Sequence, residues 1–399
     1  LIGGTFDNPV KIIPLDSPNV HREVSAYGTN STLTIHYADI SGVQATVYNG
    51  AEGLIEDSYL HDYDISNSDP IVLTYFSKYV AIRRCHFNNY YELLLRNGVH
   101  LIEDCLFEHT TGDALDFDAA HPGTIVRRST FRNGPNTNID GVDVGNDDTN
   151  YSTSIIIEDC VMHDFPYDKG ISIGDGSSDI VVRNCLIYNC NSGVAVKDEC
   201  NASIYNCTLV SNNYGINLQA KYPTQYQGGR ATNTYNNIIW GNQTQIFVTN
   251  NPVIVVNFSD IEGTDWTGIG NISLNPMFRN PAAGDFRLSS DSPCIGTGSN
   301  NMTMGVHYPV GGLPSEPGSL TITSNRIDKI ILSWVPPTNF HTGFIVERSI
   351  NDTDVLIFET KEINYSDTLT IPGAIYKYKI YSTNFIGSSF SSKKISIYA

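Results

Sequence analysis

The chain has 399 residues, with 24 Lys and Arg against 42 Asp and Glu, a formal net charge of −18. Such a charge repels phosphate backbones at long range, which excludes nucleic acid as a partner, and no apolar run reaches the roughly 18 residues of a membrane span. An acidic polysaccharide is repelled as well, unless a cation or a local basic patch intervenes.

The first residues, "LIGGTFDNPVKIIP", carry no signal-peptide pattern. They read like mid-domain sequence, as expected of a trimmed longer precursor. From residue 55 a short pattern recurs: an aliphatic residue, two polar residues, Cys or Ser, any residue, then an apolar one. It runs "IEDSYL", "IRRCHF", "IEDCLF", "VRRSTF", "IEDCVM", "VRNCLI" and "IYNCTL", with its Cys or Ser at 58, 85, 105, 129, 160, 185 and 207. Steps of about twenty to thirty residues joined to short strand-like runs are the mark of a β-solenoid. Helical periodicity is missing. Each coil carries a second run: "LLLRN" (93–97), "LDFDA" (115–119), "VDVGN" (142–146), "ISIGD" (171–175), "VAVKD" (194–198) and "INLQA" (216–220). The first and third residues of each are apolar, so they face inward from a strand with one buried face.

The register accounts for most of the charge. The residue after the aliphatic one runs Glu56, Arg83, Glu103, Arg127, Glu158, Arg183; the next runs Asp57, Arg84, Asp104, Arg128, Asp159, Asn184. Opposite signs alternate from coil to coil, which predicts structural ladders of ion pairs rather than a substrate-binding patch. Cys85, Cys105, Cys160, Cys185 and Cys207 share one inward column with Ser58 and Ser129, as small buried residues do. A Cys190–Cys200 disulfide across neighbouring coils is an open alternative for that pair.

The repeat resembles the right-handed parallel β-helix superfamily of polysaccharide lyases and hydrolases over residues 1–312. "GDFRLSSDSPCIGTG" (284–298) looks like the closing segment of bacterial surface β-helices. After the Pro/Gly/Ser-rich "YPVGGLPSEPGSLTI" (308–322), residues 313–399 hold closely spaced strands. "SWVPP" and "TIPGAIYKYKIYSTNFIGSSFSS" resemble a fibronectin type III module, with Trp334, Leu369 and Tyr376 at its core positions. The expected architecture is therefore all-β: a right-handed parallel β-helix, then a small fibronectin type III-like β-sandwich that serves as spacer or binding accessory. The family resemblance implies a secreted or cell-surface protein, read here as a monomer.

Chemistry is expected on the outer columns of the second strands. Between the inward residues lie Leu94, Asp116, Asp143, Ser172, Ala195 and Asn217. One position beyond lie Arg96, Asp118, Gly145, Gly174, Lys197 and Gln219. Two positions before lie Tyr91, Asp113, Asp140, Lys169, Ser192 and Tyr214. Asp113, Asp116, Asp118, Asp140 and Asp143 thus crowd two neighbouring coils and repel one another if bare. Calcium, which takes six to eight oxygens, is the natural compensation, and Gly141 and Gly145 leave room for a ligand. Cys and His are missing from these columns, which argues against zinc. The structural alternative has some aspartates capping turns, with Lys169 as counter-ion.

"IDGVD" (139–143) resembles the "DDGxD" calcium motif of the pectate lyases of polysaccharide lyase family nine, with Ile139 in place of one aspartate. That resemblance implies β-elimination on a uronic-acid polysaccharide, with calcium on the substrate carboxylate and a lysine as base. Lys197, about 10 Å from Asp143 at one strand spacing per coil, has the reach; Lys169 is the second candidate. Arg96, Tyr91, Tyr214 and Arg230 are the candidate substrate contacts. Tyr90, Tyr222 and Tyr226 are further aromatic platforms, and the loop 220–233 is a candidate groove wall. Two other readings stand: a polygalacturonase-like hydrolase, echoed by "NIDGVDV" and "GVAVKD", and a calcium-stabilised adhesin or surface stalk without catalysis. His109, His121 and His163 read as turn or surface histidines, and the sequons at Asn30, Asn201 and Asn271 carry weight only in a glycosylating host.

Overall fold

The same backbone turn closes the first strand of coil after coil. Asp57, Arg84, Asp104, Arg128, Asp159, Asn184 and Asn206, each just before the Ser or Cys of the repeat, all have φ between 48° and 55°. Asp and Asn tolerate this left-handed conformation, whereas arginine adopts it at a cost. The two arginines are tied down there: Arg84 Nε donates to Asp57 at 2.6 Å and Arg128 Nε to Asp104 at 2.9 Å. The Ser or Cys then turns inward and donates to the carbonyl two residues back, Ser58 to Glu56 at 2.7 Å and Cys105 to Glu103 at 3.2 Å. Cys and Ser share the column because both are small and both supply that donor, which is more than filling space.

The computed structural model describes the chain except residues 6–7, 14–21, 64–67, 148–149, 264–265, 327–328, 352, 390–391 and 399. It divides into two compact units, Leu1–Gly311 and Gly312–Ala399. In the first unit, among the described residues, parallel strands build one sheet of 11 and another of 19. The larger sheet takes two strands from most coils. In two coils these fuse into the long strands Val161–Ile173 and Leu186–Lys197, with a register irregularity between Phe165 and Lys169. Stacking is in register. Ile82 faces Ile55 and Ile102, and Phe117 faces Leu95 and Val144. Phe87, Phe107 and Phe131 stack with ring centroids 5.0 and 4.6 Å apart inside a continuous apolar core. The sequence-expected charge ladders are present, with Arg83 on Glu56 at 3.1 Å, Arg127 on Glu103 at 2.7 Å, and Arg183 on Glu158.

The closing segment does not simply end the solenoid. Residues 278–311 run back along its flank, where Phe286 and Val310 cover Val161, Leu186 and Val210, and Thr130 donates to the Gly311 carbonyl at 2.8 Å. All eight cysteines are free and buried, Cys190 and Cys200 included, so the disulfide alternative is not realised. The native chain is therefore expected to leave a thiol-specific chromogenic reagent unreacted and to titrate all eight thiols once unfolded. Rapid reaction of any thiol in the folded chain would contradict this burial.

The second unit pairs an antiparallel sheet of three strands (Leu320–Arg326, Lys329–Trp334, Asn364–Asp367) with one of four (Gly343–Ile350, Thr353–Thr360, Ile375–Thr383, Lys393–Tyr398). Trp334 and Tyr376 lie in its core as expected, but Leu369 does not: it is 65% exposed. The core is completed instead by Tyr378, whose hydroxyl donates to Asp367 at 2.7 Å beside the buried Arg348–Asp367 ion pair at 3.0 Å. No described helix is long and apolar enough to cross a membrane.

Candidate functional site

The acidic columns stand where the register places them. Asp116 pairs with Leu94 on one side and Asp143 on the other, and Asp118 pairs with Arg96 and Gly145. The next coils follow in order: Asp143 faces Ser172, Ser172 faces Ala195, Ala195 faces Asn217, and Lys197 faces Gln219. The flanking column also joins up. Asp140 donates its backbone N–H to Asp113 at 2.6 Å, and Lys169 donates its own to Asp140 at 3.0 Å.

Crowding in a half-buried site raises most of these carboxylates. Burial first, then Asp140 and Asp143, push Asp113 well above the usual carboxylate range. Burial, then Asp143 and Asp118, do the same to Asp116. Asp140 is pushed up to about 7 by burial and Asp143, against the pull of Lys169. Asp118 is raised by burial even though Arg96 donates to it at 2.9 Å. Glu92, which sequence reasoning did not single out, joins the group, and burial lifts it to about 7. The Asp143 Oδ1 atom is buried and has no hydrogen-bond partner.

The two lysines differ sharply. Lys169 Nζ lies 3.1 Å from Asp140 and also contacts Asp168. Burial disfavours its ammonium, yet the two carboxylates outweigh burial and hold its pKa above the ordinary lysine value. Lys169 is thus a counter-ion in this structure. Lys197 is 7% exposed and makes no ion pair or hydrogen bond through its ammonium among the described residues. It lies across Gly174: a Cβ built there would sit 2.7 Å from Lys197 Cε and 3.1 Å from Nζ. One coil earlier, Gly145 is itself buried, and a Cβ built there would sit in van der Waals contact, 3.5 Å from Asp175 Oδ2 and 3.8 Å from Asp118 Oδ1. The two glycines thus make a floor, with carboxylates at one end and a lysine at the other.

Other expectations shift. Gly141 is not a ligand opening, because a Cβ there would meet the Gly170 carbonyl at 2.6 Å; it is a packing glycine. Ile139 is fully buried in the core, so an aspartate at that position would point into hydrocarbon. Arg230 is not on a loop beside the cluster. It opens the Arg230–Tyr235 strand of the other sheet and pairs with Glu199 at 3.3 Å. Tyr91 stays near the acids, half-buried against Gly112, while Tyr214 packs on Phe247 with centroids 4.7 Å apart. Arg96 is engaged by Asp118. His163 pairs with Asp164 and stacks on Tyr188, and His109 bonds Asn88.

Two more residues missed from sequence belong here. Asp175 borders the Gly145 floor, and Lys221 lies 4.0 Å from it, in the field of both Asp175 and Asp143. The "ISIGD" run carried a signal for Asp175, one step past the glycine column; Lys221 sits on a loop whose path no periodicity predicts.

Among the described residues, the three groups gathered within 4.8 Å of one another as possible metal ligands are His36, Glu56 and Asp57, and those acids already hold Arg83 and Arg84. The carboxylates around Asp143 are more widely spread.

The family model described as "Right handed beta helix region" matches residues 71–224 and 118–281. No curated protein matches the chain. Solved structures that match include the twitchin kinase region from C. elegans, at 18% identity over 22% of this chain and 16% of that one, with a TM-score of 0.21. Domains A168–A170 of titin match at 19% identity over 22% and 32% of the two chains, with a TM-score of 0.20. A two-domain fibronectin type III segment of chicken tenascin matches at 12% identity over 24% and 53%, with a TM-score of 0.21. This chain therefore spans well under two thirds of each of these three proteins, and overlap this low assigns no function.

Proposed function

The chain belongs to the right-handed beta-helix family, and from that premise we propose that it is a secreted, calcium-dependent lyase that cleaves a uronic-acid polysaccharide by β-elimination. The observation that carries the reading is Lys197: a buried lysine without a counter-ion, laid across Gly174 toward a carboxylate cluster. Burying an ammonium unpaired is costly, and such a cost is ordinarily met where the group works.

The residues suit calcium in donor type. Asp118 and Asp175 offer hard oxygens beside Gly145, Asp116 and Asp143 face each other in the neighbouring column, and the orphaned Asp143 Oδ1 is a ligand without a partner. Asp113 and Asp140 stand behind them. Bound there, calcium would neutralise the substrate carboxylate and spread the charge that develops as the adjacent carbon loses its proton. The chain's own residues do the rest. Lys197 Nζ takes the proton from the carbon bearing the carboxylate. The C–H electrons form the new double bond, and the glycosidic C–O bond breaks toward the leaving sugar, which then takes up a proton. Arg96 and Lys169 hold Asp118 and Asp140 in place. The second unit is read as a fibronectin type III-like spacer.

The test is incubation with pectate, alginate and glycosaminoglycans, in calcium or in chelator, following the ultraviolet absorbance of unsaturated ends. Calcium-dependent absorbance is the expected result. Reducing ends without absorbance would identify a hydrolase. No degradation, with chelator lowering only the melting temperature, would leave a calcium-stabilised surface β-helix.

A further inference from the structure

Beside the Gly145 floor lies a cavity of about 400 Å³ whose walls include Tyr151, Tyr222, Tyr226, Gln225, Asp175 and Asp198. Asp175 lines the cavity and also stands beside Gly145, so the cavity adjoins the proposed catalytic site. Three half-exposed tyrosines give it flat apolar faces of the kind that stack on pyranose rings. Gly176 is built to admit one of them: its φ is +84°, and a Cβ there would lie 2.4 Å from Tyr151 Cε1. Asp198 is only 5% exposed; its Oδ1 accepts from the Tyr222 N–H at 3.1 Å, while its Oδ2 is buried with no partner. An orphaned carboxylate oxygen in a cavity wall calls for a donor from a ligand. Lys221 is engaged 4.0 Å from Asp175 and lies over the Tyr222 ring, and no cation is among the described residues that line the cavity.

A uronate or sulfate placed here would face Asp175 and Asp198, with Lys221, 4.0 Å from Asp175, to offset one of them and Asp198 Oδ2 left without a partner. We propose that this cavity is a subsite for an uncharged sugar residue, whose ring stacks on the tyrosines and whose hydroxyl or amide N–H donates to Asp198 Oδ2. Resting on the lyase reading, this defines the substrate as a heteropolymer in which uronate residues neighbour uncharged sugars, not a homopolymer of uronate.

The experiment is affinity electrophoresis of the full chain in native gels containing chelator and one of four polymers. Polygalacturonate and polymannuronate carry uronate alone; hyaluronan and gellan place uncharged sugars beside uronate. Hyaluronan or gellan is expected to retard the chain about tenfold more strongly than either homopolymer. The double variant Tyr222→Ala/Tyr226→Ala, shown folded by an unchanged melting temperature, is expected to lose that preference; should it melt early, Asp198→Asn replaces it and is held to the same outcome. Equal or stronger retardation by a homopolymer, no retardation by any polymer, or a variant that behaves as wild type overturns the proposal. Retardation is read without turnover, so a lack of unsaturated product from all four polymers bears on the lyase reading alone.

Discussion

Lys197→Met is expected to lower the rate of unsaturated-product formation by about a thousandfold while leaving the melting temperature within a few degrees. Loss of a positioned general base costs about 10²–10⁴ in rate. The side chain to be removed has no ion pair to break, and methionine matches its length and apolar stem. Lys169→Met should behave in the opposite way. It strips Asp140 and Asp168 of their shared cation, which for a largely buried pair costs about 3 kcal/mol. That cost should shrink as pH falls below 7, because Asp140, already pushed up to about 7, takes a proton instead. Activity per folded molecule should survive. If Lys197→Met retains wild-type turnover, or if Lys169→Met is the stable and inactive variant, the assignment of the two lysines is wrong.

The second large effect is on stability. Without a cation the folded chain should be less stable at pH 7.5 than at pH 5.5, contrary to the usual behaviour of ion-paired carboxylates. A carboxylate whose folded pKa stands above its unfolded value binds protons more readily in the folded state. Its stabilisation is complete below about pH 4 and is lost as pH rises through the folded pKa. Glu92 and Asp140 are raised to about 7, and Asp113, Asp116 and Asp118 are raised as well, so the loss falls between about pH 4 and pH 7 and beyond. Carboxylates held low by their partners, such as Glu103 and Glu108 beside arginines, work the other way, but only at more acid pH. In chelator the solenoid should therefore melt about 5 °C lower at pH 7.5 than at 5.5. Calcium at a hundredfold excess over its dissociation constant should add about 2.7 kcal/mol, and more clearly at pH 7.5, where the ligands are ionised. Melting curves at the two pH values, with and without calcium, check this. A chain equally stable at both in chelator, and indifferent to calcium, would falsify the cation-binding reading of these aspartates.

The parts of this protein that repeat were legible before any coordinates. A strand exposes side chains with period two, and stacked coils place equivalent positions one strand spacing apart. The "IEDC"-type turns and the "VDV"-type runs therefore fixed which residues face inward, which charges pair, and that Asp116 neighbours Asp143. The same arithmetic placed Lys197 two coils beyond Asp143. It did not reveal that the residue before each Ser or Cys of the repeat is left-handed, nor that Ser and Cys share a donor role, because both depend on backbone dihedrals rather than on pattern.

What needed the folded chain was every contact made by a side chain that leans or by a segment that leaves the repeat. Gly141 and Gly145 look alike in "IDGVDVG", yet a Cβ on the first would collide with the Gly170 carbonyl, while one on the second would meet only the carboxylates of Asp118 and Asp175 and the Phe117 carbonyl at contact distance. Lys169 and Lys197 are both lysines in outer columns, yet an irregularity in the strand sets Lys169 between two carboxylates and leaves Lys197 unpaired over Gly174. The loop that carries Lys221, Tyr222 and Tyr226 has no period to follow, so its position against Asp175 and Asp198 came only from the structure. Periodicity constrains residues whose neighbours recur at a fixed step. The cradle and its cavity are built from the residues that break the step, and tertiary packing alone decides where those go.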